Sequence, residues 1–149
     1  MSGNKKIAIG ADHAGFELKE KIKNVLGELE YEVVDFGTNS TDSVDYPLIA
    51  KALATNVASK DPPRGILICG TGIGMSIAAN KVKGIVASLC YNVETARLAR
   101  QHNNSNILTM GGRTTELDLA KDIIKTWLET EFEGGRHQRR LQEIRDLER

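Results

Sequence analysis

Apolar and polar positions along the chain form blocks that predict five strands separated by helices. Short, unbroken apolar runs are typical of strands buried on both faces of a parallel sheet. Longer stretches with apolar residues three and four positions apart predict amphipathic helices between them. The strands are expected at 6–10, 31–36, 66–68, 85–90 and 107–110, and the helices at 16–29, 47–57, 75–81, 94–101, 117–128 and 138–149. This alternation predicts a doubly wound α/β fold.

Two of these helices carry more detailed expectations. In the second, Asp45 is the candidate N-cap and Pro47 fits the first turn, with Ile49, Ala52, Leu53 and Val57 as the buried face. In the last, Leu141, Ile144 and Leu147 recur every three residues, a stripe too narrow for a core helix. This C-terminal helix either contacts a partner subunit or lies on its own domain, and both alternatives stay open.

Side chains able to do chemistry follow the predicted strands. In doubly wound sheets, ligands bind beyond the carboxyl ends of the strands. The residues at those ends are Asp12, His13, Cys69, Cys90, Tyr91 and Arg113. Two other loops add Tyr46 and the pair His102 and Asn103.

The stretch from Gly65 to Met75, GILICGTGIGM, joins the third strand to a glycine-rich loop. Glycines at positions 70, 72 and 74 let backbone N–H groups approach a ligand, and the following helix favours negative charge at its N-terminus. Cys69 therefore becomes a candidate thiolate base beside a nest for an oxyanion. The alternative, a small buried hydrophobe, is outweighed by the glycines. Cys90 lacks such a loop and is expected in the core.

All three histidines, His13, His102 and His137, lie in polar or glycine-rich surroundings, which favours one shared site for proton transfer. Arg136 and Arg140 fall on one helical face beside His137, and guanidinium groups suit phosphate. A solvated basic face is the alternative.

Bulk composition narrows the class of protein. Lys plus Arg and Asp plus Glu both number 20, which argues against a general nucleic-acid binder. No apolar run approaches the roughly 18 residues that span a bilayer. The N-terminus lacks the apolar core of a signal peptide, so two reduced cysteines and a cytoplasmic location are expected. A length of 149 residues suits one domain, 1–149.

Several familiar motifs fail. Met75 stands where a dinucleotide fingerprint needs its third glycine, and the loop lacks the lysine and hydroxyl of a P-loop. Ser76 lies in an imperfect nucleophile elbow, because Ala78 replaces the final glycine; this leaves a hydrolase as a weak alternative. Neither CxxC nor HExxH occurs, so no metal site is expected.

Six motifs together resemble the ribose-5-phosphate isomerase B family, which is also similar to galactose-6-phosphate isomerase subunits. They are GADHAGF, DYP, GILICGTGIGMSIAANK, RQHNNSNIL, GGR and EGGRHQRR, and the match runs from about Lys5 to the C-terminus. The resemblance implies a Rossmann-like α/β/α sandwich with a five-stranded parallel sheet. It implies isomerisation of ribose 5-phosphate to ribulose 5-phosphate in the pentose phosphate pathway, without metal or cofactor. It also implies a homodimer, sometimes a tetramer, with active sites at the subunit interface.

The resemblance also implies roles for individual residues. Cys69 would move a proton between C2 and C1, since Met75 replaces the glutamate base of another branch. His102 would open the sugar ring, with Asp12 and Thr71 nearby. The enediolate would be held by the backbone of Gly70, Thr71, Gly72, Ile73 and Gly74. The phosphate would be bound by His13, Arg113, Arg136 and Arg140. Tyr46 and Asn103 would contact the sugar, and His137 would line the site.

A non-catalytic phosphosugar-binding domain on the same fold remains the alternative from another class. The sequence also leaves open whether six-carbon phosphosugars are substrates and whether the assembly is a dimer or a tetramer.

Overall fold

The computed structural model describes residues 5–148, which form five strands and six helices. In chain order these are β1 Lys6–Ala11, α1 Phe16–Glu28, β2 Glu32–Asp35, α2 Tyr46–Ala58, β3 Gly65–Cys69, α3 Ile73–Ala79, β4 Ala87–Leu89, α4 Val93–Gln101, β5 Ile107–Gly111, α5 Leu117–Glu129 and α6 Arg136–Arg145. Every strand pairing is parallel, and the order across the sheet is β2-β1-β3-β5-β4. The predicted fold class is confirmed. Within residues 5–148, no helix combines the length and apolar character needed to cross a membrane.

The sheet carries a hydrophobic core on each face. One core joins α1, α4 and α5 to the sheet, with Trp127 fully buried at its centre. The other joins α2 and α3, around Leu53 and Met75. Because α1 and α3 lie on opposite faces, a crevice opens between the carboxyl ends of β1 and β3, which are neighbours in the sheet.

Helix α3 begins two residues before the predicted start at Met75. Gly72 has a φ of 84°, a left-handed conformation that turns the chain directly into the helix at Ile73. The helix ends before Lys81, because the N–H groups of Lys81 and Val82 donate to carbonyls only three residues earlier, those of Ala78 and Ala79, both at 3.1 Å. The N-terminus of α3 therefore lies closer to Cys69 than the sequence pattern predicted.

Strand β4 is shorter than the predicted 85–90. The N–H of Val86 donates to Asn106 Oδ1 at 2.8 Å, and its carbonyl accepts from Ser105 Oγ at 3.2 Å. The Asn106 side chain replaces a backbone partner for the Val86 N–H only, because the Val86 carbonyl also accepts from the backbone amides of Asn106 and Ile107 at 3.0 and 3.3 Å, and the strand begins at Ala87. Strand β2 is likewise trimmed to Glu32–Asp35.

The prediction for α2 was wrong at one position of its buried face. Ala52 is exposed, and the buried residues are Ala50, Leu53, Ala54 and Val57, which have helical spacing. Asp45 does occupy the N-cap, and Pro47 lies in the first turn, but the Asp45 side chain makes no capping hydrogen bond.

Helix α6 begins at Arg136, earlier than the predicted start at residue 138, because the chain enters it directly from Gly135. Leu141 is buried, whereas Ile144 and Leu147 are 49% and 74% exposed. Glu148 accepts a hydrogen bond of 2.7 Å from the N–H of Gly84, so the tail touches its own chain. Arg149, the last residue of the predicted helix, lies outside the described residues.

Candidate active site

A cleft of about 420 Å³ opens at the carboxyl edge of the sheet, where β1 and β3 end. Most of its lining was predicted as site residues from the sequence. The lining residues are Asp12, Tyr46, Cys69, Gly70, Thr71, Ile73, Gly74 and Ile77. The cleft therefore lies at the position where the fold predicts a ligand.

The Cys69 sulfur accepts a hydrogen bond of 3.2 Å from the backbone N–H of Gly72. This hydrogen bond holds the sulfur at the start of α3. Among the described residues, the amides of Gly74 and Met75 have no hydrogen-bond partner. The loop thus presents a candidate base beside free donors for an oxyanion.

Close packing explains two glycines of this loop. A Cβ at Gly72 would lie 2.7 Å from Leu89 Cδ1 and from the carbonyl carbon of Met110. A Cβ at Gly74 would lie 2.5 Å from the aromatic ring of Tyr46, which therefore packs directly on the loop. Tyr46 fixes one wall of the cleft against the glycine backbone.

Asp12 and His13 lie in the turn after β1. Asp12 Oδ1 accepts from the amides of Ala14 and Gly15 at 2.9 and 3.1 Å, which holds the carboxylate at the wall of the cleft. His13 Nδ1 accepts from the N–H of Val44 at 3.2 Å. In the neutral imidazole the proton then resides on Nε2, which is free to donate to a ligand.

Arg113 and Thr71 belong to the same edge. The N–H of Arg113 donates to the carbonyl of Gly70 at 3.1 Å, and a Cβ at Gly70 would lie 3.5 Å from Arg113 Nη1. Thr71 Oγ1 accepts from the N–H of Ile73 at 3.2 Å, which leaves its hydroxyl proton available to donate. A guanidinium and a hydroxyl group thus border the glycine loop.

A second cluster forms around His102, which caps the C-terminus of α4. Its ring stacks on that of His137, with centroids 4.2 Å apart and an interplanar angle of 15°. Glu133 Oε1 lies 3.6 Å from His137 Nε2, and the N–H of Glu133 donates to the carbonyl of Gln101 at 3.1 Å. This backbone hydrogen bond fixes the loop before α6 against the end of α4.

Positive charge dominates the second cluster. Partial burial, together with the nearby His102 and Arg136, lowers the pKa of His137 below the ordinary value, although Glu133 opposes the shift. Arg140 acts in the same direction as Arg136. His137 is therefore held mainly neutral near pH 7, beside two guanidinium groups that suit an anion.

The two clusters lie at opposite edges of the sheet within one chain. Helix α4 runs back from the carboxyl edge, and the loop after His102 reaches Asn106, whose carbonyl accepts from the N–H of Gly65 at 3.0 Å. Gly65 and Cys69 are the two ends of β3, roughly 13 Å apart at about 3.3 Å per residue. Within one chain, His13 lies at the carboxyl edge, apart from His102 and His137, so the expectation that all three histidines share one site stays a prediction that needs a second chain.

Two residues of these clusters were missed in the sequence. Ile77 lines the cleft one helical turn after Ile73, a spacing that indicates a shared face. Glu133 precedes His137 by four residues. Ligand atoms of His102, Glu133 and His137 all lie within 4.8 Å of one another, a set able to hold a transition metal. Linear motifs did not reveal it, because His102 is distant in sequence.

Cys90 is a core residue, as predicted. It is 1% exposed, and burial raises the pKa of its thiol to about 12. Its sulfur donates weakly to the carbonyl of Ser88 at 3.7 Å. Cys90 therefore offers no thiolate near neutral pH.

The family model described as Ribose/Galactose Isomerase matches residues 7–144. The ribose-5-phosphate isomerase B of Escherichia coli K12 is 50% identical over 144 residues, covering 97% of this chain and 97% of its own length.

Solved structures agree with this match. The ribose-5-phosphate isomerase B of Clostridium thermocellum is 52% identical with a TM-score of 0.95, over 96% of this chain and 97% of that one. The enzyme of Mycoplasma genitalium, solved with bound ribulose-5-phosphate, is 43% identical with a TM-score of 0.91, over 95% and 94% of the two chains.

Proposed function

The chain belongs to the ribose/galactose isomerase family, and we propose that it interconverts D-ribose 5-phosphate and D-ribulose 5-phosphate. The observation that carries this proposal is the Cys69 sulfur, held by the amide of Gly72 at the wall of the cleft. A base beside free backbone donors is what proton transfer next to a carbonyl requires. The bound ribulose-5-phosphate of the Mycoplasma genitalium relative supports the same substrate pair.

The reaction needs no external oxidant or reductant. The Cys69 thiolate removes the proton from C2 of the open-chain aldose, and the electron pair forms the C1–C2 double bond of an enediolate. The same thiol returns the proton to C1, while a proton passes from the oxygen on C2 to the oxygen on C1. Amides of the loop from Gly70 to Gly74 that do not already donate to Cys69 or Thr71 stabilise the charged oxygen, and each such donor contributes about 3 kcal/mol.

The sugar ring must open before this step. His102 donates a proton to the ring oxygen, and Asp12 and Thr71 border the sugar at the other side of the site. Tyr46 and Asn103 contact its hydroxyl groups. These assignments are supported by the two clusters of the site, because the cluster around Cys69 and the cluster around His102 each hold part of the groups that the reaction requires.

His102 reaches the cleft from a partner subunit. Within one chain, the thiol and His102 lie at opposite ends of β3. At this separation, the two side chains could not both contact the reacting atoms of one bound pentose phosphate. Exposed apolar side chains at the cleft mouth, Ile73 at 52% and Ile77 at 60%, offer a surface for a second copy. A two-fold homodimer completes two equivalent sites in this way.

The phosphate is held by groups from both clusters. His13 and Arg113 lie at the carboxyl edge, whereas Arg136 and Arg140 arrive with the partner's α6, where His137 lines the site. This arrangement gives α6 a contact with the second subunit. We place the enzyme in the cytoplasm, as a homodimer or a pair of homodimers serving the pentose phosphate pathway.

The test is ribulose 5-phosphate formation from ribose 5-phosphate in the presence of EDTA, for the wild type and Cys69→Ala. Activity that withstands EDTA and is lost in the variant is expected. Loss of activity with EDTA would instead assign a metal to the His102, Glu133 and His137 set. Full activity of Cys69→Ala would exclude the thiolate as the base, and an inactive wild type that still binds the sugar phosphate would favour a binding domain.

A further inference from the structure

We propose that a second cavity, at the amino edge of the sheet, binds an oxyanion of the phosphate class. It measures about 210 Å³ and shares no lining residue with the cleft beside Cys69. Its polar lining side chains are Lys60, Arg64, Arg100, Asn104, Asn106 and Arg145. None of these residues has a role in the proposed isomerase reaction.

The charges around this cavity are unbalanced. Four cations line it, and none of the lining side chains in the described part of the chain is acidic. Within residues 5–148, Arg64, Arg100 and Arg145 form no salt bridge. Lys60 and Arg145 are exposed, whereas Arg64 and Arg100 are partly buried, and a partly buried cation without an accompanying anion is costly, so the cavity favours an anionic ligand.

Arg64 and Arg100 also repel one another. Burial lowers the pKa of both guanidinium groups below the ordinary arginine value, and the charge of Arg64 lowers that of Arg100 further. A bound anion between them offsets this repulsion. The lowered pKa of both guanidinium groups therefore agrees with the excess of positive charge around the cavity.

Existing hydrogen bonds fix the two guanidinium groups without exhausting them. Arg64 donates from Nη1 and Nη2 to the carbonyls of Trp127 and Leu128 at 3.4 to 3.5 Å, which are long contacts. Arg100 donates to the carbonyls of Thr130 at 3.2 Å and Ser105 at 2.5 Å. Among the described residues, Arg64 Nε and Arg100 Nη2 have no partner, which leaves fixed donors beside the cavity.

Binding of helix-end carbonyls explains Arg64 and Arg100 in part, because cations favour the C-terminus of a helix. It does not explain Lys60 and Arg145, whose side chains make no hydrogen bond or salt bridge in the part of the chain that the structure describes. The carboxylate of Glu148 lies near the rim, where it accepts from the N–H of Gly84, but forms no ion pair with the arginines.

The donor set fits a phosphate better than a carboxylate. Guanidinium groups bind phosphate oxygens through paired, charge-assisted hydrogen bonds. Cations from three segments of the chain, the α2–β3 connection, α4 and α6, meet a tetrahedral dianion from several sides, whereas a carboxylate occupies a single fork. Inorganic phosphate and a small phosphate monoester share this chemistry.

The experiment follows backbone amides of the full chain by NMR during titration with inorganic phosphate and, separately, glycerol 3-phosphate. The amides of Gly84 and Val86 report on the cavity, and those of Gly72 and Gly74 report on the cleft. Arg145→Gln and Lys60→Gln are each expected to weaken binding at Gly84 and Val86 about tenfold. Arg139→Gln is the matched control, because it removes an exposed charge from the same helix outside the cavity.

The proposal is supported by saturable shifts at Gly84 and Val86 whose dissociation constant rises about tenfold in Arg145→Gln and stays unchanged in Arg139→Gln. The probe that binds more tightly then identifies the source of the anion. Absence of saturable shifts with both probes overturns it, as does equal weakening in Arg145→Gln and Arg139→Gln. Because the cleft amides are followed separately, failure at either site is independent of the other.

Discussion

The backbone N–H of Gly72 donates a 3.2 Å hydrogen bond to the sulfur of Cys69, three residues earlier in the chain. The loop can deliver this N–H because Gly72 adopts a φ of 84°, which strains any residue with a side chain. A Cβ there would also meet the backbone of Met110 at 2.7 Å. The conformation of one glycine therefore sets the surroundings of the proposed base.

Gly72→Ala is expected to lower kcat/KM about 100-fold, because the hydrogen bond to sulfur and the neighbouring donors shift together. The strained backbone should also reduce the free energy of unfolding by about 1–3 kcal/mol. Steady-state kinetics and urea unfolding measure the two effects. Gly27→Ala is the control, since a Cβ at this helical glycine meets nothing within 4 Å and should leave activity unchanged. Normal kinetics in Gly72→Ala would contradict the proposed role of the loop.

The two cysteines should differ sharply towards iodoacetamide at pH 8. Burial raises the pKa of the Cys90 thiol to about 12, so that group stays protonated and inaccessible. Cys69 opens into the cleft and should be alkylated first, with parallel loss of activity. Peptide mass mapping over time locates the modification, and ribulose 5-phosphate should slow it. Cys90→Ala should be inactivated at the wild-type rate; earlier labelling of Cys90 would argue against the assignment.

Two inactive variants should restore activity when combined in one dimer. Cys69→Ala and His102→Asn are each expected to lose about 100- to 10,000-fold in kcat. In the hybrid, one of the two sites joins an intact Cys69 to an intact His102. Random mixing should therefore recover about a quarter of wild-type activity. Specific activity after co-refolding provides the measurement.

The control for this recovery pairs Cys69→Ala with a chain that carries both substitutions, since every site then lacks the thiol. That mixture should stay inactive. If purified hybrid dimers of the two single variants also stay inactive, the thiol and His102 act within one chain and the proposed division of the site is wrong.

Asp35→Asn should destabilise the fold, because the Lys19 side chain is fully buried and its Nζ lies 2.6 Å from Asp35 Oδ2. Leaving a buried cation poorly paired costs about 3 kcal/mol. Glu20→Gln is the control. Because the Glu20 side chain is 45% exposed, this substitution should change the free energy of unfolding by no more than about 1 kcal/mol. Urea unfolding compares the variants, and equal effects would argue against a special role for Asp35.

The same pair should depend on pH. Burial alone would raise the pKa of the Asp35 carboxyl, but hydrogen bonds from Lys19, Lys23 and the amide of Gly37 outweigh it and hold the pKa below the ordinary value. A lowered pKa gives stability that is fully present above the unfolded value of about 3.9 and is lost as pH falls through the folded value. The stability difference between wild type and Asp35→Asn should therefore narrow below about pH 4.

Strand alternation and the placement of Asp12 and Cys69 could be predicted because both follow from local patterns. An unbroken apolar run before the glycines fixes β3, and parallel pairing brings the ends of β1 and β3 together. The start of α3 could not be placed correctly, because it depends on the backbone conformation of Gly72. Val86 lies outside the strand because the side chain of Asn106, distant in sequence, accepts from its N–H.

The separation of His13 from His102 and His137 was also beyond a sequence pattern. All three histidines have polar neighbours, but the direction of α4 carries His102 to the opposite edge of the sheet. Glu133 joins His102 through a backbone hydrogen bond to Gln101, a contact between segments that no spacing rule connects. Only the path of the chain through the fold shows which groups meet.

The length of β3 between the thiol and His102 has a consequence for the enzyme at low concentration. In the proposed dimer, a chain separated from its partner keeps its own folded core but holds only one half of each of the two sites. Dilution below the dissociation constant of the dimer should therefore abolish the specific activity, whereas the circular dichroism spectrum, which reports secondary structure, should remain unchanged. In the proposed dimer, turnover depends on the encounter of two chains, and its rate rises with the concentration of the protein in the cell.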